Sequence, residues 1–374
     1  MRHARRLLLP LAASALFVPT AALAAEPGCP DVAAPRVVAV GDVHGAYDGF
    51  LSVLRFSGIV DDKGRWAGGQ AHLVQTGDVL DRGTQAPKAL DLLMRLEGEA
   101  RKAGGEVHAL LGNHEVMNML GDLRYLNKEE YELFKTPDSE ALRQRFLESS
   151  LERAEKNAKA RGEAFDAAAF RAKFLEQVPL GFVERTQALS AEGKYGKWLR
   201  QRPVIVKIDG VAFLHGGLTP EVAALGCDAI NQTVHREITD DVDKTLKGPL
   251  ATLAAGENGP LWYRGLAKED ETTFLPSVER VLQLLGARAV VVGHSVTGTG
   301  RVTSRFGGRV VGIDVGMTGS YGGHLGALEV KPDGSMAAIY QEGREDIAKP
   351  AAAARLLPLS APRPGPGCLA PASP

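Results

Sequence analysis

Six short apolar runs, each stopping at a glycine or small polar residue beside a metal-ligating type of side chain, constrain this chain more than any other feature. Residues 36–40 lead to Gly41-Asp42-Val43-His44-Gly45, residues 71–75 to Asp78, and residues 107–111 to Gly112-Asn113-His114-Glu115. Residues 211–214 lead to His215-Gly216-Gly217, residues 289–292 to Gly293-His294-Ser295, and residues 310–313 to Asp314. The runs alternate too little for half-exposed strands and read as strands buried on both faces. In α/β folds ligands gather beyond the carboxyl ends of the strands, so this pattern converges its polar residues on one edge.

Helices fill the gaps. Residues 47–56 place Phe50, Val53 and Leu54 on one face and stop at Gly58; residues 87–101 repeat this with Leu90, Leu93, Met94 and Leu96. A further helix is expected over 277–285, starting behind Pro276 and ending at Gly286. Strand, helix, strand is the local order, which gives an α/β fold. Residues 122–200 break it. They are rich in Ala, Glu, Lys and Arg and read as a helical insertion, either covering the site or one edge of the sheet or serving as a solvated spacer.

The ends carry other signals. Arg2, Arg5 and Arg6, an apolar run from 7 to 23 and Ala22-Leu23-Ala24 make residues 1–24 a secretory signal peptide. The alternative is a membrane anchor, against which Pro10, Pro19 and the shortness of the run count. Export to the periplasm or beyond follows, with no stable membrane association. The catalytic domain is placed at 36–343. The segment 344–374, with Pro358, Pro362, Pro364 and Pro366, reads as a disordered Pro/Ala-rich tail. After cleavage about 350 residues remain, within reach of one α/β core carrying an insertion. A net charge of −1 without a dominant basic cluster argues against a nucleic-acid binder. The three cysteines, Cys29, Cys227 and Cys368, allow one disulfide in an oxidising compartment, and spacing does not choose the pair.

The strand-end residues suit one chemistry. Two divalent cations about 3.5 to 4 Å apart lower the pKa of a bound water to near 7 and clamp a phosphoryl group for in-line attack. Asp42, His44 and Asp78 form one shell; Asp78, shared, joins Asn113, His215 and His294 in the other. Asn113 offers a hard oxygen that adds no charge. This donor set accepts manganese, iron or zinc, and the sequence does not choose among them. Arg82, in Gly77-Asp78-Val79-Leu80-Asp81-Arg82-Gly83, has the planar fork that suits a phosphate.

Gly41-Asp42-Val43-His44-Gly45, the Gly77 to Gly83 heptapeptide, Gly112-Asn113-His114-Glu115, His215-Gly216-Gly217 and Gly293-His294, in this order, resemble the signature of calcineurin-like metallophosphoesterases. Asp81-Arg82-Gly83 and Asn113-His114-Glu115 resemble the phosphoprotein phosphatase family, and the layout resembles its bacterial Shewanella-like phosphatases. The resemblance implies a four-layer αββα sandwich that hydrolyses phosphomonoesters with two metals, by metal-activated hydroxide attack. It makes His114 the general acid, oriented by Asp81, and Arg82 a phosphate clamp. A second arginine is expected after His215. Arg264, in Leu261-Trp262-Tyr263-Arg264-Gly265, is the choice, against a surface arginine stacked on Trp262.

Two departures bear on substrate. Gly293-His294-Ser295-Val296 lacks the second histidine of many general metallophosphoesterases, which favours the phosphoprotein phosphatase branch. The Ser-Ala-Pro-Asn-Tyr-Cys loop of the eukaryotic enzymes is replaced by Ile313-Asp314-Val315-Gly316-Met317, with Tyr321 and His324 following. Asp314 and His324 have two readings, as pocket lining or as caps of turns. The expected substrate is a phosphorylated protein, on tyrosine or on serine/threonine, or a small phosphoester. The alternatives are a nucleotide or dinucleoside-polyphosphate hydrolase and a non-catalytic metal-dependent binding protein.

Overall fold

The structure, a computed structural model, describes residues 29–347. Its strands are β1 (Asp31–Val32), β2 (Val37–Val40), β3 (His72–Gln75), β4 (Glu106–Ala109), β5 (Ile205–Ile208), β6 (Val211–Leu214), β7 (Ala289–Val292), β8 (Thr303–Arg305), β9 (Val310–Gly312), β10 (Ala327–Val330), β11 (Met336–Tyr340) and β12 (Gly343–Ile347). They form two six-stranded sheets, ordered β12-β11-β10-β2-β3-β4 and β1-β5-β6-β7-β9-β8. The six apolar runs are the parallel hearts of these sheets: β2, β3 and β4 run parallel in one, and β6, β7 and β9 in the other. Parallel order sends all six carboxyl ends the same way within each sheet.

Both faces of these strands are covered, except at the amino-terminal end of β4, which is why the runs alternate so little. Val37, Ala39 and Val74 of the first sheet pack between the sheets with Val211, Phe213, Val291 and Val311 of the second. Val38, Val40, Leu73 and Val107 turn outward, packing with Phe50, Val53 and Leu54 of α1 (Tyr47–Phe56) and Leu90, Leu93 and Leu96 of α2 (Ala86–Lys102). On the far side Leu214, Val290 and Val292 belong with Ile230, Val234, Val278 and Leu285. Each such side chain contributes about 1.5–3 kcal/mol when fully buried, so the core strongly favours the four-layer sandwich.

Three boundaries differ from the sequence reading. The helix expected over 277–285 is Glu271–Leu285 and contains Pro276. Asp270 caps it, its carboxylate accepting from the backbone N–H groups of Thr272 and Thr273. That cap and the apolar face of Val278, Val281, Leu282 and Leu285 outweigh the donor lost at the proline. The domain limits of 36 and 343 are too narrow. β1 pairs with β5, Asp31 opposite Lys207, and β12 pairs with β11 along its whole length, Gly343 opposite Tyr340. Both are short, exposed edge strands held by backbone hydrogen bonds, so no apolar pattern announces them. A disulfide joins Cys29 to Cys227, with Cα atoms 4.8 Å apart. The signal segment, Cys368 and the tail beyond 347 lie outside the described residues.

Residues 122–200 fold as a short 3-10 helix (Lys128–Phe134) and four helices after α3 (Asn113–Met119): α4 (Ser139–Arg161), α5 (Ala167–Gln177), α6 (Phe182–Leu189) and α7 (Lys194–Leu199). The root of the insertion is fixed to α2, where the Trp198 indole donates to Glu97 at 3.0 Å and Lys194 meets Asp91 at 2.5 Å. Its outer part has a small core of its own, Leu147, Phe174 and Val178.

Candidate active site

The carboxyl ends of β2, β3, β4, β6 and β7 deliver their polar residues to one place, and the backbone there is bent to do so. Among the described residues seven non-glycine positions have left-handed φ, and five of them are His44 (46°), Asp78 (56°), Asp81 (69°), Arg82 (64°) and His294 (63°). Such angles cost of order 1–3 kcal/mol each and persist only where the surroundings hold them. Glu115 does much of the holding. Its carboxylate accepts from the backbone N–H of Asp78 (2.7 Å), Val79 (2.8 Å), Leu80 (3.1 Å) and Gly112 (2.8 Å). Gly77 (φ 95°) and Gly112 sit back to back, and a side chain at Gly77 would run into the Gly112 backbone. The structural task of Glu115 was missed in the sequence, although a glutamate three residues past a helix N-cap is a recognisable pattern.

Around Asp78 the lone pairs face one another. The His215 Nδ1–H donates to the Thr76 carbonyl at 2.9 Å, so its Nε2 lone pair points at Asn113 Oδ1 (2.9 Å) and lies 3.3 Å from Asp78 Oδ2. The His44 Nδ1–H likewise donates to the Leu80 carbonyl at 2.9 Å, leaving Nε2 3.6 Å from Asp78 Oδ2 and 3.9 Å from Asp42 Oδ2. The His294 Nε2–H donates to the Trp262 carbonyl at 3.2 Å, and its backbone N–H donates to both Asp42 oxygens. Buried acceptors without donors between them are costly, and cations resolve the conflict. Charge leads to the same conclusion. Burial, then the Asp314 and Asp78 carboxylates, raise the Asp42 pKa well above the carboxylate range. Asp314 is pushed up to about 6 by burial and Asp78. Burial drives His44 down to about 4, so it stands as the neutral imidazole that metals bind. The donor set therefore fits divalent metals: Asp78, His215 and His294 converge with Asn113 on one side, and His44, Asp78 and Asp42 on the other.

His114 faces the same centre but is held differently. Its Nδ1–H donates to Asp81 Oδ2 at 2.6 Å, and its Nε2 lies 3.8 Å from Asp78 Oδ2. Burial opposes its charged form, but Asp78 and the Asp81 hydrogen bond outweigh it and raise the pKa. Asp81 is held in turn by Asn118, whose Nδ2 donates to Asp81 Oδ1 at 3.0 Å. Arg185 of α6 donates to Asn118 Oδ1 at 2.7 Å and to Glu130 Oε1 at 2.7 Å, all of them buried. A buried ion pair of the insertion thus ends three hydrogen bonds from the His114 ring. Asn118 had a signal, four residues after His114 on one helix; Glu130 and Arg185 had none.

Arg82 lies between two aromatic rings, its guanidinium carbon 4.6 Å from the Tyr125 ring centre and 4.9 Å from that of Tyr321. Its buried Nε has no partner, an open donor toward an anion. Arg264 donates to the His294 carbonyl (2.6 Å) and Ser295 Oγ (3.1 Å) and lines the same cleft of about 70 Å³. Asp314 has both of its readings: it lines the cleft and accepts from the Gly316 N–H at 3.1 Å. His324 is exposed and stands apart from the cleft. Clefts of about 410 and 640 Å³ exist elsewhere, but neither collects ligands of this kind, so chemistry and not size marks the site.

Comparison with known proteins agrees with this geometry. The profile of the calcineurin-like phosphoesterase family matches residues 35–298. Shewanella-like protein phosphatase 2 of Arabidopsis thaliana is 30% identical over 307 residues, covering 80% of this chain and 75% of that protein. Shewanella-like protein phosphatase 1 of Plasmodium berghei is 25% identical over 286 residues, covering 76% and 67%. Among solved structures, the cold-active protein-tyrosine phosphatase of a psychrophilic Shewanella species superposes with a TM-score of 0.64 at 28% identity, covering 86% of this chain and 83% of that one. A cluster of strand-end acceptors that calls for cations, within a fold and sequence shared with these enzymes, places the chain in the calcineurin-like phosphoesterase family as a metal-dependent phosphatase.

Proposed function

We propose that this chain is an exported protein phosphatase that uses two divalent metals to hydrolyse phosphomonoesters. The observation that carries the reading is the cleft itself. A clamp arginine between Tyr125 and Tyr321 faces the Asp78 cluster, with the His114–Asp81 pair beside it. Bound there, two cations would supply an activated water and an electrostatic clamp on the phosphoryl group. Asp42, His44 and Asp78 would hold one of them, and Asp78, Asn113, His215 and His294 the other.

The chain's own residues do the rest. Arg82, with Arg264 opposite, binds the outer phosphoryl oxygens in fork geometry. Asp81 keeps the His114 ring with Nδ1 bound and Nε2 toward the cleft, from which His114 protonates the leaving oxygen. Tyr125 and Tyr321 add flat apolar walls that suit an aryl phosphate, in line with the protein-tyrosine phosphatase activity named for the solved Shewanella relative. Phosphotyrosine in protein is therefore placed ahead of phosphoserine or phosphothreonine. Export is supported by the leader-like segment 1–24 and by the Cys29–Cys227 disulfide, a bond that persists in oxidising compartments.

The test measures hydrolysis of a small aryl phosphate, phosphotyrosine peptides and phosphothreonine peptides, after metal removal and after adding back manganese. Asp78→Asn and His114→Asn run beside the parent. Restored activity that both substitutions remove, with phosphotyrosine preferred, supports the reading. Activity that survives the chelator or Asp78→Asn overturns it, and a preference for diadenosine polyphosphates would reassign the substrate.

A further inference from the structure

A second cluster of ligating side chains lies at the amino-terminal end of β3 and β4, away from the cleft at their carboxyl ends. His72 opens β3, Glu106 opens β4, and His108 follows two residues later. In the register His72 pairs with Glu106 and Val74 with His108. Alternation along a strand therefore sets all three side chains on the face that Val74 turns toward the other sheet. His72 Nδ1 and His108 Nε2 are 3.0 Å apart, and Glu106 Oε2 is 3.7 Å from His108 Nε2. His72 is buried, the His108 side chain is 9% exposed, and Glu106 is 55% exposed, which leaves a way in from solvent at the edge strand.

We propose that His72, His108 and Glu106 form a further site for a borderline divalent transition metal, one that takes Cu²⁺ or Ni²⁺ ahead of Mn²⁺. The two facing nitrogens, 3.0 Å apart in their hydrogen-bonded pair, need to part by at most a few tenths of an ångström to ligate one ion at bonds of about 2.0–2.1 Å. Imidazole nitrogens with one carboxylate oxygen are the donor set these ions favour. Each ring then carries its proton on the nitrogen facing away from the ion, so binding needs a tautomer shift and no change in charge. The charged groups acting on the pair are Glu106 on its own sheet and, for His72, Asp209 in the turn between β5 and β6; both draw a cation. Two strands of one sheet hold the two imidazoles side by side before the metal arrives.

The experiment uses the untagged protein saturated with Mn²⁺, titrated calorimetrically with Ni²⁺ while released Mn²⁺ is followed by electron paramagnetic resonance. The parent is expected to take up one equivalent of Ni²⁺ beyond any Mn²⁺ it releases. His72→Gln and His108→Gln should weaken that equivalent by about 100-fold, with phosphatase activity unchanged. If His108→Gln fails to fold, as its activity would reveal, the exposed Glu106→Gln decides, with an expected weakening of about tenfold. Ni²⁺ uptake equal in parent and variants, or uptake that only matches Mn²⁺ release, overturns the proposal and leaves a hydrogen-bonded histidine pair.

Discussion

The strand ends and the helical insertion build the same cleft by different means. At the strand ends, side chains are fixed by main chain: Glu115 ties four backbone N–H groups, His44 and His215 each donate to a carbonyl, and five residues are held at left-handed φ. Among the described residues the insertion reaches the site in two places. One is Tyr125 against Arg82 and His114, with the Tyr125 carbonyl accepting from the Arg82 N–H at 3.0 Å and the Asn127 side-chain amide donating to the Arg82 carbonyl at 3.2 Å. The other is the Glu130–Arg185 pair behind Asn118 and Asp81. Beyond them the insertion packs on its own small core and leaves Phe146 and Leu175 37% and 45% exposed. The candidate ligand cluster is thus part of the core, while the setting of His114 depends partly on a peripheral element.

The largest effects should come from the strand ends. Chelation or Asp78→Asn is expected to abolish hydrolysis of every substrate, read as initial rate before and after metal is restored. His114→Asn should lower kcat by about 10²–10⁴-fold on phosphotyrosine and less on a substrate with a better leaving group. A uniform loss across leaving groups would argue against its role as acid.

Arg185→Met tests the contribution of the insertion. Removing one partner of a buried ion pair costs about 3–5 kcal/mol, measurable by urea denaturation. Glu130→Met with Arg185→Met should recover much of that stability, because no lone charge stays buried. If the ion pair also sets Asp81 and His114, the double variant should still lose kcat most on poor leaving groups. A stable double variant with parental kinetics would reduce the pair to scaffold.

Cys227→Ser should lower stability by about 2–5 kcal/mol and leave kcat intact, since the disulfide stabilises chiefly through the unfolded chain. The smallest effect belongs to the outer arm. Leu175→Ala should change stability by within about 0.5 kcal/mol and leave kcat unchanged. A rate change there would mean that the arm, and not only its root, shapes the site.

The sequence by itself determined the six buried strands and the polar residues at their ends; their division into two parallel triplets is the structure's. A strand buried on both faces is mostly apolar, and here the polar residues follow it directly in the chain, so both leave a local trace. Gly293 shows how tight that trace is, because any side chain there would collide with Asp42. Only the tertiary structure decided that β1 and β12 extend the sheets, since their pairing uses backbone groups every sequence has. The same holds for Tyr125 and Tyr321 as walls of Arg82, and for Arg185 behind Asn118, Asp81 and His114. Arg185 and Glu130 are 55 positions apart in a charge-rich stretch, and Arg185 and Asn118 are 67 apart. Nothing local distinguishes such residues from solvated neighbours, because their partners are chosen by how the insertion docks on the sandwich.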